Sequence, residues 1–532
     1  MKRTYFLKAK QALVAVMVAA AAMFAACSDD VDEPVPDPVK LTTPVLGDFN
    51  RGAGEATATL SIEWSFVNGA TAYNVEVVKT AQVDETGKVA TSESVYSNKG
   101  DRNKAEFTVT YGGEYKITVA AVGDGKEYLD SDAAEAVYFW YVAPTTVAAG
   151  DLATTLPALL AETTDEEVTF ALVAGEAYTL NAPVDFGAKR VTVKSMANVG
   201  TADEPVIVEN GEHAVVVLGV DGVFRTGNAL TLKNLSIDAG AQVAADGTVT
   251  KPSFIGEDGR NNPGWGIVEG SQDEAALAAV AVADKNNYLL NNITIDGCYI
   301  KDVACNFTHV GVYAWIFDKV TVTNSIIQVN NNGHYGDAAV FGTYGGGVGP
   351  NGDLNWRVGA IGDLTVENST IYNIQKNSKN RMIRFCNNSI ANHFVTRTNV
   401  SITFNNATIS QVMTAKEFAN NTWNKPEATI TFTNSVYRDC FRVFNKMNTR
   451  SCTYVVTNNL GWCSGVDVDN GGDAEGSQGD DEACLAEIGG VEWKSFTFGG
   501  DVNAQLDLTK ENGGVNFKAS GAAAGQGDPR WN

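Results

Sequence analysis

The chain has 532 residues, of which 44% are hydrophobic and 19% are charged. This balance excludes a disordered polyampholyte and a protein that crosses a membrane many times. The 63 acidic and 39 basic residues leave a formal net charge of −24, which argues against a generic nucleic-acid-binding protein. Glycine is common and proline is scarce, a composition that favours short strands joined by turns. We therefore expect an all-β protein.

The first residues have the pattern of an export signal. Four basic residues among the first ten precede an apolar run, residues 12–26, which ends at Cys27. The run is shorter than the ~20 apolar residues of a membrane span. The sequence FAACS resembles a bacterial lipobox, which implies that residues 1–26 are a lipoprotein signal peptide and that Cys27 carries the lipid. The alternative is an ordinary secretory signal in which Cys27 is not lipidated.

Residues 27–40 begin with acidic side chains and continue with alternating prolines, which keep a chain extended, so we expect a tether. Acidic residues directly after a lipidated cysteine also resemble the surface-export signal of Bacteroidetes lipoproteins. That resemblance implies a lipid-anchored protein of the outer membrane, exposed on the cell surface.

From residue 41 to residue 145 apolar and polar side chains alternate with a period of two, which predicts about seven antiparallel strands. The region resembles a fibronectin type III domain. Trp64 stands in the place of that family's core tryptophan, and Tyr115, Val119 and Ala120 match one of its strands. Such modules usually act as spacers, and a direct role in ligand binding is the alternative.

From residue 150 to residue 532 short strand-like units recur, each ending in an asparagine or glycine. One such strand cannot bury its apolar side alone, but stacking on a similar neighbour buries it, so the repeat predicts a parallel β-helix. The gaps between units vary from 24 to 63 residues, so the longer ones imply insertions or missed coils. We expect the unit ends to be tight bends in which stacked asparagine amides bond from coil to coil. Their positions are Asn234, Gly297, Asn324, Asn368, Asn406, Asn434 and Asn458.

The start of this region, around Gly175, resembles the first coils of pectate-lyase-like right-handed β-helices. The resemblance implies a pectin-lyase-like architecture and carries no activity with it. The chain ends in Asp528, Pro529, Arg530 and Trp531, which resembles the end of Bacteroidetes β-helix lipoproteins found with glycan-use systems. We expect Trp531 to belong to a cap that covers the last coil.

Basic residues are concentrated in residues 371–450, which hold 11 Lys and Arg against three Asp and Glu. Stacked coils would bring these cations together on one face, as a groove for a polysaccharide that contains uronic acids. The alternative is a set of ordinary solvated side chains. If the protein is a lyase acting by β-elimination, the candidates for charge neutraliser and base are Arg381, Arg384, Arg438 and Arg442. Arg397 is a further candidate for glycan binding.

Aromatic side chains in or beside the repeat are candidate platforms for sugar rings, although packing in the core is the alternative for each. The candidates are Trp315, Trp356, Tyr372 and Trp423. A metal site is weakly indicated by a glycine-rich acidic turn with oxygen ligands of the kind that calcium prefers, and a solvated acidic loop is the alternative. Its residues are Asp467, Asp469, Asp473 and Glu475. The cysteines have no zinc-binding spacing, and we expect them to be small buried apolar residues.

These patterns favour a surface lipoprotein that binds polysaccharide, with an anionic polymer preferred, as part of glycan capture and utilisation. Binding requires no cofactor, and calcium remains an option. An outer-membrane glycan transporter is the expected protein partner, the membrane is contacted only through the lipid, and nucleic acid is not a partner. The first alternative is a polysaccharide lyase for uronic-acid polymers, and the second is a structural or adhesive surface protein.

Overall fold

The structure is a computed structural model, and the residues it describes are mostly in β-strands. The described residues are 37–52, 57–79, 93–110, 113–140, 144–198, 207–219, 221–240, 242–243, 249–250, 267–278, 282–284, 287–303, 307–309, 315–330, 339–342, 360–375, 381–384, 399–412, 418–420, 426–440, 443, 451–462 and 490–532. No helix among them is long and apolar enough to cross a membrane.

The first compact unit ends near Tyr138 and contains two small antiparallel sheets. Its strands are β1 (Val39–Lys40), β2 (Leu46–Arg51), β3 (Thr57–Trp64), β4 (Ala72–Lys79), β5 (Glu93–Gly100), β6 (Lys104–Thr110), β7 (Gly113–Val122), β8 (Tyr128–Leu129) and β9 (Ala134–Trp140). One sheet has the order β2-β3-β6 and the other β5-β4-β7-β9. Strict alternation buries Trp64 and Tyr115, as the sequence predicts for core positions.

The second compact unit begins near Phe139 and is built from short strands. Those in its first part are β10 (Thr145–Val147), β11 (Gly150–Asp151), β12 (Glu167–Val173), β13 (Ala177–Leu180), β14 (Val184–Asp185), β15 (Arg190–Asn198), β16 (Ile207–Val208), β17 (Ala214–Leu218), β18 (Phe224–Thr226), β19 (Ala229–Lys233), β20 (Leu235–Asp238), β21 (Gln242–Val243), β22 (Val249–Thr250) and β23 (Val268–Gly270). Its α-helices within the described ranges are α1 (Leu152–Ala161) and α2 (Glu274–Leu277).

The strands continue to the end of the stack. They are β24 (Val282–Asp284), β25 (Asn287–Asp296), β26 (Tyr299–Val303), β27 (Thr308–His309), β28 (Trp315–Thr323), β29 (Ile326–Val329), β30 (Ala339–Gly342), β31 (Ala360–Glu367), β32 (Thr370–Asn373), β33 (Arg381–Arg384), β34 (Ser401–Asn405), β35 (Thr408–Ser410), β36 (Ala419–Asn420), β37 (Thr429–Thr433), β38 (Val436–Arg438), β39 (Thr453–Thr457), β40 (Asn459–Trp462) and β41 (Val491–Trp493).

These strands form three long sheets, which together make a parallel β-helix. Among the described residues the sheets have seven, twelve and eleven strands, and each coil visits them in that order, as in β18, β19 and β20. The strands pair in parallel from coil to coil, and only β16 and β24 join the twelve-stranded sheet in antiparallel fashion. The predicted stack of coils is therefore confirmed.

The register of the twelve-stranded sheet places like side chains above one another. One inward column runs through Val193, Leu232, Ile295, Val322, Val366, Phe404 and Phe432. All seven are nearly or fully buried, and the rings of Phe404 and Phe432 stack with centroids 5.7 Å apart. A slip of one residue would turn such a column outward, so apolar burial fixes the register.

The bend from the twelve-stranded sheet to the eleven-stranded sheet is a single residue in the left-handed region. The residue is the asparagine or glycine predicted from each repeat, with φ from +48° to +63°. Asn406 Nδ2 donates to Asn368 Oδ1 at 2.9 Å, and Asn458 Nδ2 donates to Asn434 Oδ1 at 2.8 Å. Asn324 instead donates to Asp296 Oδ1, because Gly297 in the coil before it has no amide. The predicted asparagine ladder exists, but it is interrupted.

Each gap between two successive predicted bends spans one coil, so no coil lies undetected between them. The longest gap, from Asn234 to Gly297, joins β20 directly to β26 and holds an insertion with α2. Helix α1 packs against β11, β13 and β14 at the start of the stack, where Leu152 and Leu156 are buried. Asp151 accepts a hydrogen bond from Ala153 N and caps the helix.

The C-terminal segment, residues 494–532, folds back over the eleven-stranded sheet. Its Leu506, Phe517 and Trp531 form an apolar cluster with Ile326 and Tyr372. Because this cluster covers the second face of the sheet, strands such as β29 and β32 are buried at every position. Trp531 was expected to cap the last coil, but its indole N–H donates to Thr370 Oγ1 at 2.7 Å, several coils earlier. Trp531 therefore covers the face of a sheet and does not cap the end of the solenoid.

Two substitutions of Asn406 separate the two roles of the ladder. Glycine tolerates the φ of +48°, so Asn406→Gly removes only the hydrogen bond between the side-chain amides of Asn406 and Asn368. It should lower the free energy of unfolding by about 1 kcal/mol. Asn406→Ala should lower it by a further ~1–2 kcal/mol, because alanine is strained in the left-handed region. Urea denaturation of the β-helix measures both changes. An alanine variant as stable as the glycine variant would show that backbone strain does not select asparagine here.

Candidate functional site

The predicted cationic strip is divided between two sheets. Arg381 and Arg384 lie in β33 of the seven-stranded sheet, whereas Arg438 lies in β38 of the eleven-stranded sheet. Arg442 and Arg397 fall outside the described residues. The three described arginines therefore do not share one face, contrary to the expectation from stacking alone.

Arg438 is occupied by internal contacts. Its Nε donates to Asp439 Oδ2 at 3.1 Å, its Nη1 donates to the carbonyl oxygen of Phe496, and its guanidinium lies 5.8 Å from the Phe496 ring centroid. The side chain is only 17% exposed. Arg438 thus fastens the C-terminal segment to β38, and these contacts correct its assignment as a neutraliser or base.

Two of the predicted sugar platforms are core residues. Trp315 is fully buried, its indole N–H donates to Ser271 O at 3.2 Å, and its ring packs beside Tyr288. Tyr372 is also fully buried, because its ring packs against Phe517 and its hydroxyl donates to a carbonyl of the C-terminal segment. Neither ring has an open face, so packing explains both aromatics and the sugar-stacking assignment is corrected.

Several predicted residues fall outside the described part of the chain. They are Cys27, Trp356, Trp423, Asp467, Asp469, Asp473 and Glu475. Within the described ranges, no group of three or more His, Cys, Asp and Glu side chains is arranged to hold a metal ion. Of the cysteines, Cys298 and Cys440 are buried among apolar side chains.

The seven-stranded sheet carries a column of mainly polar residues that the sequence did not reveal. Its register aligns one residue from each coil, namely Asp185, Arg225, Glu269, His309, Gly342, Arg384 and Asn420. Successive members are about 4.8 Å apart, the spacing of neighbouring strands. Arg225 Nε donates to Glu269 Oε2 at 3.1 Å, and Glu269 is fully buried. Arg384 is half-buried, and Gly342 opposite it contributes no side chain.

A cleft of about 460 Å³ lies where the asparagine bends meet the C-terminal segment. The bend residues form one side, and Asp528, Pro529 and Arg530 form the other. Two further side chains complete it, His213 and Tyr299, whose ring centroids are 4.4 Å apart. Its volume is within the range of small-molecule sites, and its lining combines polar and apolar surface in about equal parts.

Asp528 and Arg530 are held firmly at the cleft. Asp528 Oδ2 accepts a hydrogen bond from Thr370 Oγ1 at 2.8 Å, and Asp528 N donates to Thr408 Oγ1 at 3.0 Å. Burial raises the pKa of Asp528, although the charge of Arg530 opposes that shift. Arg530 Nη1 is buried 3.6 Å from Asp528 Oδ2, and no described residue accepts a hydrogen bond from it. The guanidinium therefore has unused hydrogen-bonding capacity.

His213 is neutral at physiological pH. Burial, with a further contribution from the charge of Arg530, lowers its pKa to about 4. Its Nδ1 lies 3.1 Å from Ser236 Oγ, so one ring nitrogen is engaged by the β-helix itself. At neutral pH the cleft thus presents a polar but uncharged imidazole beside a guanidinium.

No protein-family model matches the chain, and no curated protein matches it.

The shifted pKa of His213 predicts how stability depends on pH. The unfolded chain takes up a proton near pH 6.5 and the folded chain only near pH 4, so this contribution is present above pH 6.5 and is lost as the pH falls toward 4. The loss should reach about 1–3 kcal/mol for the partly exposed ring. His213→Gln should therefore lose less stability than the wild type between pH 7 and pH 4.5, measured by urea denaturation. Equal losses in both proteins would contradict the assignment.

Proposed function

We propose that the protein is a surface lipoprotein of the outer membrane that binds polysaccharide for glycan capture, with a preference for polymers that contain uronic acids. The N-terminal pattern supports the anchor, and palmitate labelling that disappears in Cys27→Ser would test it. The first unit acts as a spacer of the fibronectin type III kind. The second is a pectin-lyase-like β-helix that presents the glycan site, and a transporter of the same membrane is the proposed partner.

The column on the seven-stranded sheet carries the proposal. It offers one residue per coil at a spacing of about 4.8 Å, close to the distance between successive units of an extended pyranose chain. Arg225 and Glu269 neutralise each other, and their side chains are only 14% and 0% exposed, so they add no charge to the surface that a glycan would contact. Beyond them, Arg384 supplies a guanidinium, the group best suited to pair with a carboxylate. A polymer lying across the coils would therefore pair through its carboxylates with Arg384 and meet no opposing charge from the Arg225–Glu269 pair.

Binding is favoured over lysis because it requires only that the arginines carry their ordinary positive charge. β-Elimination needs a base that is deprotonated near neutral pH, whereas an arginine holds a carboxylate in its ordinary protonated state. One of the predicted catalytic residues, Arg438, is tied to Asp439 and the C-terminal segment. Lysis and adhesion are the outcomes against which binding is tested.

The first test compares two variants that remove the same charge from different sheets. Arg384→Gln should weaken binding to polygalacturonate by roughly tenfold, since a charge-assisted hydrogen bond contributes about 1.5–3 kcal/mol. Lys319→Gln removes an exposed cation from the twelve-stranded sheet and should leave the affinity unchanged. Affinity electrophoresis or calorimetry measures both, and the wild-type affinity should fall with added salt.

The alternatives give different results in the same experiment. A rise in ultraviolet absorbance from unsaturated products, lost in Arg384→Gln, would replace binding with lysis. Retention of neither polygalacturonate nor a neutral polysaccharide would favour a structural or adhesive role. Equal weakening by both substitutions would mean that net charge, and not the column, governs the interaction.

A further inference from the structure

The cleft beside the C-terminal segment has the properties of a second binding site. It lies at the bend between the twelve-stranded and eleven-stranded sheets, whereas the polar column lies on the seven-stranded sheet. We propose that it binds one saccharide unit bearing a carboxylate, with Arg530 as the group that pairs with that carboxylate. The proposal does not depend on the column on the seven-stranded sheet.

The guanidinium is the first support. Arg530 is 15% exposed at the side chain and lies beside the rings of Tyr299 and Trp531, with its Cζ 6.0 Å and 5.8 Å from their centroids. Its contact with Asp528 is an ion pair at 3.6 Å and not a hydrogen bond, which leaves donors of the fork without acceptors among the described residues. A carboxylate accepts two parallel bonds from such a fork.

The opposite side of the cleft supplies donors and acceptors for sugar hydroxyls. Asn234, Asn324 and Asn368 present side-chain amides from different coils. The ladder is broken at Gly297, where a Cβ would lie 2.4 Å from Asn234 Oδ1. Asn324 is consequently bonded sideways to Asp296 and not to a ladder partner below it. The interruption of the ladder and the cleft therefore coincide.

The cleft is also preformed. Tyr299 is fixed by Asn512, whose backbone N–H donates to the tyrosine hydroxyl at 3.2 Å, and His213 packs against the tyrosine ring. Asp528 is bonded to Thr370 and Thr408 on two successive coils. A ligand would find these groups already ordered, so little conformational entropy would be lost on binding. The volume of about 460 Å³ suits one or two sugar rings.

Calorimetric titration of the full-length protein with galacturonate, and separately with galactose, tests the proposal. Galacturonate should bind and galactose should bind at least roughly tenfold more weakly, because it lacks the carboxylate. Arg530→Gln should abolish this difference, and Arg530→Lys should keep part of it, since lysine retains the charge but not the fork. Lys518→Gln, which removes an exposed cation from the same segment, should bind as the wild type does.

Each other result overturns the site. No binding of galacturonate by the folded wild type at millimolar concentration would do so, as would equal binding of both sugars. Equal weakening by Lys518→Gln and Arg530→Gln would show an effect of net charge alone. Arg384→Gln serves to separate the two proposals, because it should weaken polygalacturonate binding at the column and leave the galacturonate affinity of the cleft unchanged. Unchanged tryptophan fluorescence would show that the Arg530 variants keep Trp531 docked.

Discussion

Coil-on-coil stacking in a fixed register is the constraint on which the rest of this protein depends. A strand of two to ten residues has no stability alone, and each acquires backbone partners and a buried face only from the coils above and below it. The inward columns of aliphatic and aromatic side chains make any other register unfavourable, because a slip of one residue would expose them. The same register decides which distant residues become neighbours, and therefore where a binding surface can exist.

The C-terminal segment adds a second layer to one sheet. Its apolar side chains cover the outer face of the eleven-stranded sheet, and a polar network accompanies them: Gln505 Nε2 donates to Asp302 Oδ2 at 2.7 Å, and Leu506 N donates to Gln328 Oε1 at 2.6 Å. Burial raises the pKa of Asp302, which these amides surround. Covering this face removes it as a glycan surface but creates the cleft at its edge. Arg438, in β38, is held by its contacts with Phe496 of this segment, and Arg530 is part of the segment itself.

The sequence predicted the β-helix because its repeat has a local physical cause. A one-residue bend with positive φ selects asparagine or glycine, so all seven bends were identifiable in advance. Helix α1 was missed, although Asp151 as a cap and the spacing of Leu152 and Leu156 were usable signals. The fold of the C-terminal segment left no such periodic signal, because its contacts join residues more than 100 positions apart.

The candidate sites were predictable only in part. Concentrated cations in residues 371–450 were visible, but their division between two sheets depends on which strand of the coil each one occupies. Strand alternation cannot tell Tyr372 from an exposed aromatic, because the C-terminal segment buries the outer face of its sheet. Trp315 is buried in the interior instead, through contacts with Ser271 and Tyr288 that the local sequence does not indicate. The polar column depends on the register of strands that are separated by loops of different length, so its members have no fixed spacing in the sequence.

The distance between two spin labels, measured by pulsed electron paramagnetic resonance, tests the stacking of the coils most directly. Thr231 and Thr431 lie in one column of the twelve-stranded sheet, 200 residues apart in sequence and five coils apart in the stack. Labelled at these positions, with the accessible native cysteines replaced, the protein should give a narrow distribution centred near ~24 Å, from five steps of about 4.8 Å. A broad distribution, or one centred at more than twice that distance, would contradict the register on which both proposed sites rest.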